Sequence, residues 1–158
     1  MNRIKNIMAS ALVAMAALVF SSCDSNEVPH PEEQQIEVNA NNISGKWELV
    51  EWNDSPLAEG TYIYLDIVRN DKTYTMYQNI DSFGSLPHVV TGSYYIDFDV
   101  ELGAVIRGNY DHDSGDWAHR YRIVSLTAGE MIWVAKDDET FIQRFYRVDS
   151  IPVAAQEN

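Results

Sequence analysis

Two side chains near the C-terminus, Arg144 and Tyr146, are of types that together can bind a carboxylate. They lie two positions apart in a predicted strand, so they point to the same side of the sheet. A guanidinium fork and a phenol suit a carboxylate, which makes this pair the candidate ligand-binding site. The opposite register places Phe141, Gln143 and Phe145 inside, and the burial of two phenylalanines favours it. Both orientations stay open, and with them a carboxylate ligand or a filled interior.

A second group of polar side chains, Asn109, Asp111 and Asp113, occupies alternate positions. This spacing is typical of a calcium-binding loop of the Asp-x-Asp-x-Asp-Gly type. Gly115 comes one position too late for such a loop, and Arg120 stands where a closing glutamate belongs. The segment is therefore predicted to be a solvated hairpin turn and not a metal site, with weak calcium binding as the alternative.

The sequence contains no catalytic or cofactor-binding motif that we recognise. Its four histidines, His30, His88, His112 and His119, are not spaced as zinc ligands are. A Gly-x-Ser-x-Gly elbow, a P-loop and a dinucleotide fingerprint are all absent from the sequence. We therefore expect a protein that is not an enzyme and that carries no cofactor.

The only cysteine, Cys23, follows a segment with the features of an export signal. Residues 1–22 begin with the basic Arg3 and Lys5, continue with an uncharged apolar run to Phe20 and end with two serines. The run is too short to cross a bilayer and predicts a signal peptide over residues 1–22. Small residues directly before a cysteine resemble the lipobox of bacterial lipoproteins. This resemblance implies that Cys23 is lipidated and anchors the protein to a membrane.

Acidic residues outnumber basic ones in the rest of the chain. The sequence has 11 Lys and Arg against 24 Asp and Glu, a formal net charge of −13, and residues 1–22 contain two of the bases and none of the acids. Such a surface repels phosphate backbones, so no nucleic-acid partner is expected. Residues 23–42 are rich in Glu, Gln, Asn and Pro and contain no aromatic residue. This composition predicts an acidic, flexible tether that begins at the lipidated cysteine.

The remaining chain has the pattern of short β-strands separated by tight turns. Eight segments are rich in β-branched and aromatic residues, and Gly, Asn or Asp residues lie between most of them. The pattern predicts an all-β domain over residues 43–151, an antiparallel up-and-down meander of about eight strands that closes into a barrel. A C-terminal tail follows at 152–158, and an open two-sheet sandwich is the alternative. The eight segments are 46–53, 61–68, 72–79, 88–100, 103–110, 117–127, 129–136 and 140–148.

Four of these stretches resemble the lipocalin-like lipoproteins of Bacteroidales. Gly45-Lys46-Trp47 resembles the Gly-x-Trp that opens the first strand of lipocalin-like domains, and TGSYYID (91–97), RGNYDHDSGDW (107–117) and ETFIQRFYRV (139–148) follow it. The resemblance implies a calycin-like barrel that is lipid-anchored in the outer membrane. The acidic run after Cys23 resembles a signal for display at the cell surface in these bacteria. No particular activity is implied.

The same resemblance implies a structural role for Trp47. In lipocalins the equivalent tryptophan closes the bottom of the barrel, and an arginine of the last strand stacks across it. Arg147 or Arg144 would supply that cation–π contact here. Gly45, Trp47 and Arg147 are the predicted closure residues.

Two non-catalytic functions of such a barrel stay open, and a hydrolase whose site the sequence does not reveal is a third, less favoured hypothesis. In the first, the interior holds a small apolar or amphipathic ligand. In the second, the barrel is filled and contacts another envelope protein or a glycan through its surface. A cavity above about 300 Å³ favours the first function, and a packed interior with an exposed apolar patch favours the second.

Overall fold

The computed structural model describes residues 33–80, 86–112 and 115–157. In these ranges the chain forms nine strands and two short helices. The strands are β1 (Gly45–Trp52), β2 (Ser55–Pro56), β3 (Ile63–Val68), β4 (Thr73–Gln78), β5 (His88–Asp99), β6 (Gly103–Tyr110), β7 (Tyr121–Leu126), β8 (Glu130–Ala135) and β9 (Ile142–Val148). The helices are α1 (Ala40–Ile43), before β1, and α2 (Val153–Gln156), after β9.

The strands form one antiparallel sheet that closes on itself. Each strand from β3 to β9 pairs with its neighbour in the chain, β1 pairs with β3, and β9 returns to pair with β1. The two-residue β2 extends β1 as a hairpin outside this ring. The predicted fold class, an up-and-down barrel of eight strands, is confirmed, with β2 as one additional strand.

Alternation along each strand separates the core from the surface. On β3, Ile63, Leu65 and Ile67 are buried and belong to the core, whereas Tyr64 and Asp66 lie on the outer face. Trp47 and Leu49 are the corresponding buried residues of β1. Because a strand has period 2, this pattern directs one row of side chains from every strand into a common interior.

One end of the barrel is covered, and we call it the closed end. It is the end at which β1 begins, and α1 lies directly before it, with Ile43 fully buried in the core. At the opposite end, which we call the mouth, β1, β4, β6 and β8 finish and the loops 53–62, 111–120 and 136–141 connect the strands.

The closed end is also covered by the segment 33–38, which we call the strap. The backbone N–H of Ile36 donates to the Leu126 carbonyl at 2.8 Å, and the Gln35 side chain accepts from the Leu126 N–H at 3.1 Å. The Glu33 carboxylate accepts from the Thr127 hydroxyl and from the Gly129 N–H. The strap therefore binds the turn between β7 and β8.

This contact corrects the predicted extent of the tether. The composition of residues 23–42 predicts a flexible tether, but residues 33–42 pack against the barrel, and residues 23–32 lie outside the described part. Ile36 and Val38 contact the core, and the Asn39 side chain caps α1 by accepting from the Asn41 and Asn42 N–H groups. The composition of the whole segment does not reveal that single residues within it contact the barrel or cap α1.

The C-terminal segment 152–158 contains α2, which lies against β4 and β5. Ile151, directly before it, and Ala155 within it are both buried. Within the described ranges, no helix is long and apolar enough to span a membrane.

Candidate functional site

A cavity of about 110 Å³ lies inside the barrel, towards the mouth. Aromatic and aliphatic side chains form most of its wall, Gln143 is its one amide, and no charged side chain lines it. The exposed Ala118, on the loop between β6 and β7, stands at its outer margin. The lining residues are Leu49, Ile63, Leu65, Tyr74, Met76, Tyr110, Trp117, Ala118, Tyr121, Trp133, Gln143 and Phe145.

The inward faces of three neighbouring strands supply one side of the aromatic wall. Tyr121 on β7 and Trp133 on β8 have ring centroids 5.4 Å apart, and Phe145 on β9 lies 4.8 Å from Trp133. Trp133 and Phe145 are buried. These tilted contacts are favourable for aromatic pairs and hold the rings in a defined arrangement.

Trp117 reaches the cavity from the loop between β6 and β7. Its ring stacks on Trp133 at 6.0 Å and meets Tyr74 edge-on at 5.1 Å. The Trp117 Nε1–H donates to the Tyr74 hydroxyl at 2.8 Å. The loop thus places one more aromatic face over the wall, fixed by a hydrogen bond to β4.

Two glycines make room for these rings. A Cβ at Gly108 on β6 would collide with the Trp117 indole, and a Cβ at Gly92 on β5 would collide with the Tyr74 ring and with the Asn109 backbone carbonyl. Both positions lie within strands, where glycine is otherwise unfavourable. The Gly residues of the TGSYYID and RGNYDHDSGDW segments therefore have a packing role.

Burial changes the chemistry of two of the cavity tyrosines, Tyr74 and Tyr121. Loss of solvent raises the pKa of Tyr74 to about 12, although the Trp117 hydrogen bond acts against it, and the nearby Tyr110 and Asp111 add to the rise. Loss of solvent likewise raises the pKa of Tyr121 to about 12, helped by Tyr110 and Asp137. Both phenols stay neutral at any physiological pH.

One buried donor in the cavity wall has no partner. The Nε1 atom of Trp133 is buried and makes no hydrogen bond. Gln143, also buried, adds an amide to the same wall. An unpaired buried N–H costs about 1–3 kcal/mol, so this donor lowers the stability of the barrel relative to a fully paired interior.

A histidine and an aspartate lie at the mouth. His119 Nδ1 is 2.9 Å from the Asp137 carboxylate, and the hydrogen bond to His119 lowers the pKa of Asp137. The His119 ring also packs on Phe141 at 4.9 Å, and Phe141 meets Trp52 at 5.3 Å. The pair is held at the rim by aromatic contacts and lies outside the cavity lining.

The structure places Arg144 and Tyr146 on the outer face, so they do not form a carboxylate clamp in the interior. On β9, Phe145 is 2 % exposed and Gln143 is 8 % exposed, whereas Tyr146 is 48 % exposed. The pairing of Phe145 with Leu49 of β1 sets this register.

The Arg144 guanidinium is committed to two carboxylates outside the barrel. It donates to Glu51 at 2.8 Å and to Glu130 at 2.7 Å. The hydrogen bond to Glu130 raises the pKa of Arg144, with Glu51 adding to the rise, so the guanidinium stays charged. A ligand carboxylate would have to displace both partners.

The closure residues do meet at the closed end. Arg147, and not Arg144, lies over Trp47, with the guanidinium carbon 4.0 Å from the ring centroid. Gly45 adopts φ 121°, and a Cβ there would collide with the Arg147 guanidinium. Trp47 is fully buried and donates through Nε1 to the Ile43 carbonyl at 2.8 Å.

The alternative calcium residues are held by the barrel. Asn109 belongs to β6 and forms an isolated bridge with Asp116, and the Asp111 N–H donates to the Thr91 carbonyl at 2.9 Å. Asp113 lies outside the described residues, as does Cys23. Among the residues that are described, no three carboxylate, imidazole or thiol groups lie close enough to hold a metal ion.

The candidate site residues that the sequence predicts include none of the cavity aromatics. The strand residues Tyr121, Ile123, Met131, Trp133 and Ala135 follow the two-residue alternation that would have placed them inside. Trp117 lies outside any strand, and no periodicity would have located it.

Comparison with known proteins identifies the fold. A family model described as a lipocalin-like domain matches residues 43–133. The NMR structure of a protein from Bacteroides uniformis ATCC 8492 superimposes with a TM-score of 0.51, at 22% sequence identity, over 75% of this chain and 98% of that chain. Identity this low is evidence for the fold alone. No curated protein matches the sequence.

Proposed function

We propose that this protein, which belongs to the lipocalin-like domain family, is a non-catalytic binding protein whose barrel cavity holds a small apolar ligand. The observation that carries the proposal is the aromatic cavity in the mouth half of the barrel, a space that a fully packed core would not leave.

The volume of the cavity limits the ligand. The observed 110 Å³ does not reach the volume of about 300 Å³ that the sequence analysis set for an interior ligand, because pockets for drug-sized molecules occupy about 300–1,000 Å³. It is too small for a whole fatty acid or bile acid. An apolar cavity of about 150 Å³ holds one benzene molecule. By that measure, the cavity accepts a group of about four to five heavy atoms.

The cavity wall also argues for binding without catalysis. It contains no carboxylate, imidazole, thiol or amine that would act as a base, an acid or a nucleophile. The His119–Asp137 pair lies at the rim and has no nucleophile of the described chain as its partner. Aromatic faces with one or two polar groups are suited to holding a molecule, not to changing it.

We also propose that Cys23 anchors the protein to the outer membrane, on the evidence of the sequence pattern around it. The described chain begins at the strap, which lies at the closed end. From Cys23 to Glu33 the chain reaches at most about 35 Å.

A specific observation supports the alternative of an interaction protein. Phe98 is 72 % exposed on β5, and Val100 is fully exposed in the turn that follows. Exposed apolar side chains at a hairpin tip suit contact with another envelope protein or a glycan. Because the turn between β5 and β6 lies at the closed end and the cavity lies towards the mouth, the two functions can be tested separately.

Binding of small probes by the mature protein tests the proposed function. Tert-butanol and 3,3-dimethylbutan-1-ol are expected to raise the melting temperature and to shift the NMR signal of the Trp133 Nε1–H, because the tert-butyl group of each has four carbon atoms, fits the cavity and packs against the Trp133 ring. Laurate and cholate, which exceed the cavity, serve as controls and should do neither. If no small probe perturbs Trp133, or if Trp133→Phe leaves binding of both alcohols unchanged, the proposed ligand site is wrong.

A further inference from the structure

We propose that the ligand held in this cavity carries a quaternary ammonium group, and that the aromatic wall binds it through cation–π contacts. This inference rests on the proposed function, since it assigns a chemical class to the same cavity. A trimethylammonium group has four heavy atoms, and the cavity accepts a group of about four to five heavy atoms.

The wall of the cavity is rich in aromatic rings. Tyr74, Trp117, Tyr121, Trp133 and Phe145 come from four strands and one loop, and all five rings line the one cavity. The face of an aromatic ring is negative, and indole and phenol rings attract a nearby cation most strongly. Several such faces around one small space form the kind of cage that binds methylated ammonium groups.

The charges around the cavity also favour a cationic ligand. No cationic side chain lines the cavity. The carboxylates of Asp111 and Asp137 contribute to the raised pKa values of Tyr74 and Tyr121, which means that both act on the cavity wall. The negative potential of these carboxylates opposes the loss of a proton from the phenols, and it also favours a positively charged ligand beside them. The net charge of the chain, −13, adds attraction at longer range.

The cavity has no positively charged side chain that could pair with an anion. Arg144 is held outside the barrel by Glu51 and Glu130, and Arg147 is held at the closed end by backbone carbonyls. A carboxylate inside would therefore be an unpaired buried charge, which is costly. The carboxylate ligand that Arg144 and Tyr146 suggest is disfavoured on these grounds.

The cavity suits a quaternary ammonium group better than a primary one. A primary ammonium is strongly hydrated and needs acceptors for its three N–H groups when it is buried. The cavity offers the Gln143 amide and phenol oxygens, but no carboxylate. A quaternary ammonium has no N–H group to satisfy, and its methyl groups pack against rings as a tert-butyl group does.

Choline and 3,3-dimethylbutan-1-ol provide a matched pair of probes. Both carry a hydroxyethyl arm and they share one shape, but a positively charged nitrogen in choline replaces the neutral quaternary carbon of the alcohol. Titration of the mature protein, followed by calorimetry or by the indole NMR signals, measures both dissociation constants. We expect choline to bind at least about tenfold more tightly, a difference of about 1.4 kcal/mol.

Variants of Trp117 show whether the cage is responsible. Trp117→Leu should reduce the preference for choline to about threefold or less, whereas Trp117→Phe keeps an aromatic face and should retain most of it. Tyr146→Leu, which removes an exposed ring on the outer face, is the matched control and should leave the preference unchanged. Circular dichroism verifies that each variant is folded.

The outcomes separate this inference from the proposed function. If the two probes bind equally well, the quaternary ammonium inference is wrong and the small apolar ligand stands. If neither probe binds, both are wrong. If choline is preferred but Trp117→Leu does not change the preference, choline binds a surface carboxylate and the aromatic cage is refuted.

Discussion

The Arg147 guanidinium lies over the Trp47 ring at 4.0 Å and donates to three backbone carbonyls at the closed end. These carbonyls belong to Asn42 and Ser44, both at 2.7 Å, and to Ala128 at 2.8 Å. One side chain of β9 thereby joins the end of α1, the start of β1 and the turn between β7 and β8. Burial lowers the pKa of Arg147, because no carboxylate compensates for the lost solvent, but the group stays charged.

Replacing Arg147 by Met should destabilise the protein by about 2–4 kcal/mol, since it removes three hydrogen bonds of a charged group and the cation–π contact. Urea denaturation measures the change. Arg69→Met is the matched control, because Arg69 makes a single exposed hydrogen bond, to Asn41, and its loss should cost about 0.5 kcal/mol. Equal effects of the two substitutions would contradict the locking role of Arg147.

The register of β9 predicts opposite outcomes at two adjacent positions. Phe145→Ala should cost about 3–5 kcal/mol, because the ring is buried against Trp133 and leaves a cavity when it is removed. Tyr146→Ala should cost about 1 kcal/mol or less, because that ring is half-exposed outside. Denaturant unfolding of both variants measures the difference. A larger loss from the tyrosine substitution would reverse the assignment of faces.

The sequence predicts the strands well because their pattern is local. Alternation and turn residues locate all eight barrel strands, and each of these eight, for example β5 (His88–Asp99), lies largely within its predicted segment, whereas the two-residue β2 was not predicted. The closure of the barrel depends on the pairing of β1 with β9, and both the number of strands and the resemblance carried by Gly45 and Trp47 led to that expectation.

The candidate site was less accessible to sequence analysis. Both registers of β9 are amphipathic, and the choice depends on Leu49 opposite Phe145, a contact between residues 96 positions apart. Trp117 enters the cavity because Gly108 leaves space for its ring, which no local pattern reveals. Long-range packing therefore decides the site, whereas short-range pattern decides the strands.

Replacing Cys23 by Ala should abolish lipid attachment, because the sequence contains no other cysteine. Metabolic labelling with a fatty acid and fractionation of the cells measure the change, and the variant should move to the soluble fraction. Ser22→Ala is the control, since it keeps a small residue before the cysteine and should leave labelling intact. Unchanged membrane association of the Cys23 variant would refute the lipid anchor.

The strap should make stability depend on pH. The hydrogen bonds from Thr127 and Gly129 lower the pKa of Glu33 below its ordinary value of 4.5. A carboxylate with a lowered pKa stabilises the folded state above its unfolded pKa, and the stabilisation is lost as the pH falls through the folded value.

Glu33→Gln should therefore have a lower melting temperature than the wild type at pH 7, and the difference should shrink as the pH falls below 4.5 through the folded value of the Glu33 pKa. Thermal melts at a series of pH values measure it. Glu37→Gln, at the other end of the strap, is the matched control. A difference that is constant from pH 7 to pH 3 would show that the charge of Glu33 has no part in holding the strap.

The last prediction concerns Gly108, which faces the Trp117 indole. Gly108→Ala should displace the ring, because the new Cβ and the indole cannot occupy the same space. We expect a lower stability and a red-shifted tryptophan emission as Trp117 moves towards water. In a Trp117→Ala background, the same substitution should cost less by about 1 kcal/mol or more, since the indole is gone and only the close contact with the Ser93 carbonyl remains. A double-mutant cycle in urea measures this coupling, and additive effects would show that Gly108 does not position Trp117.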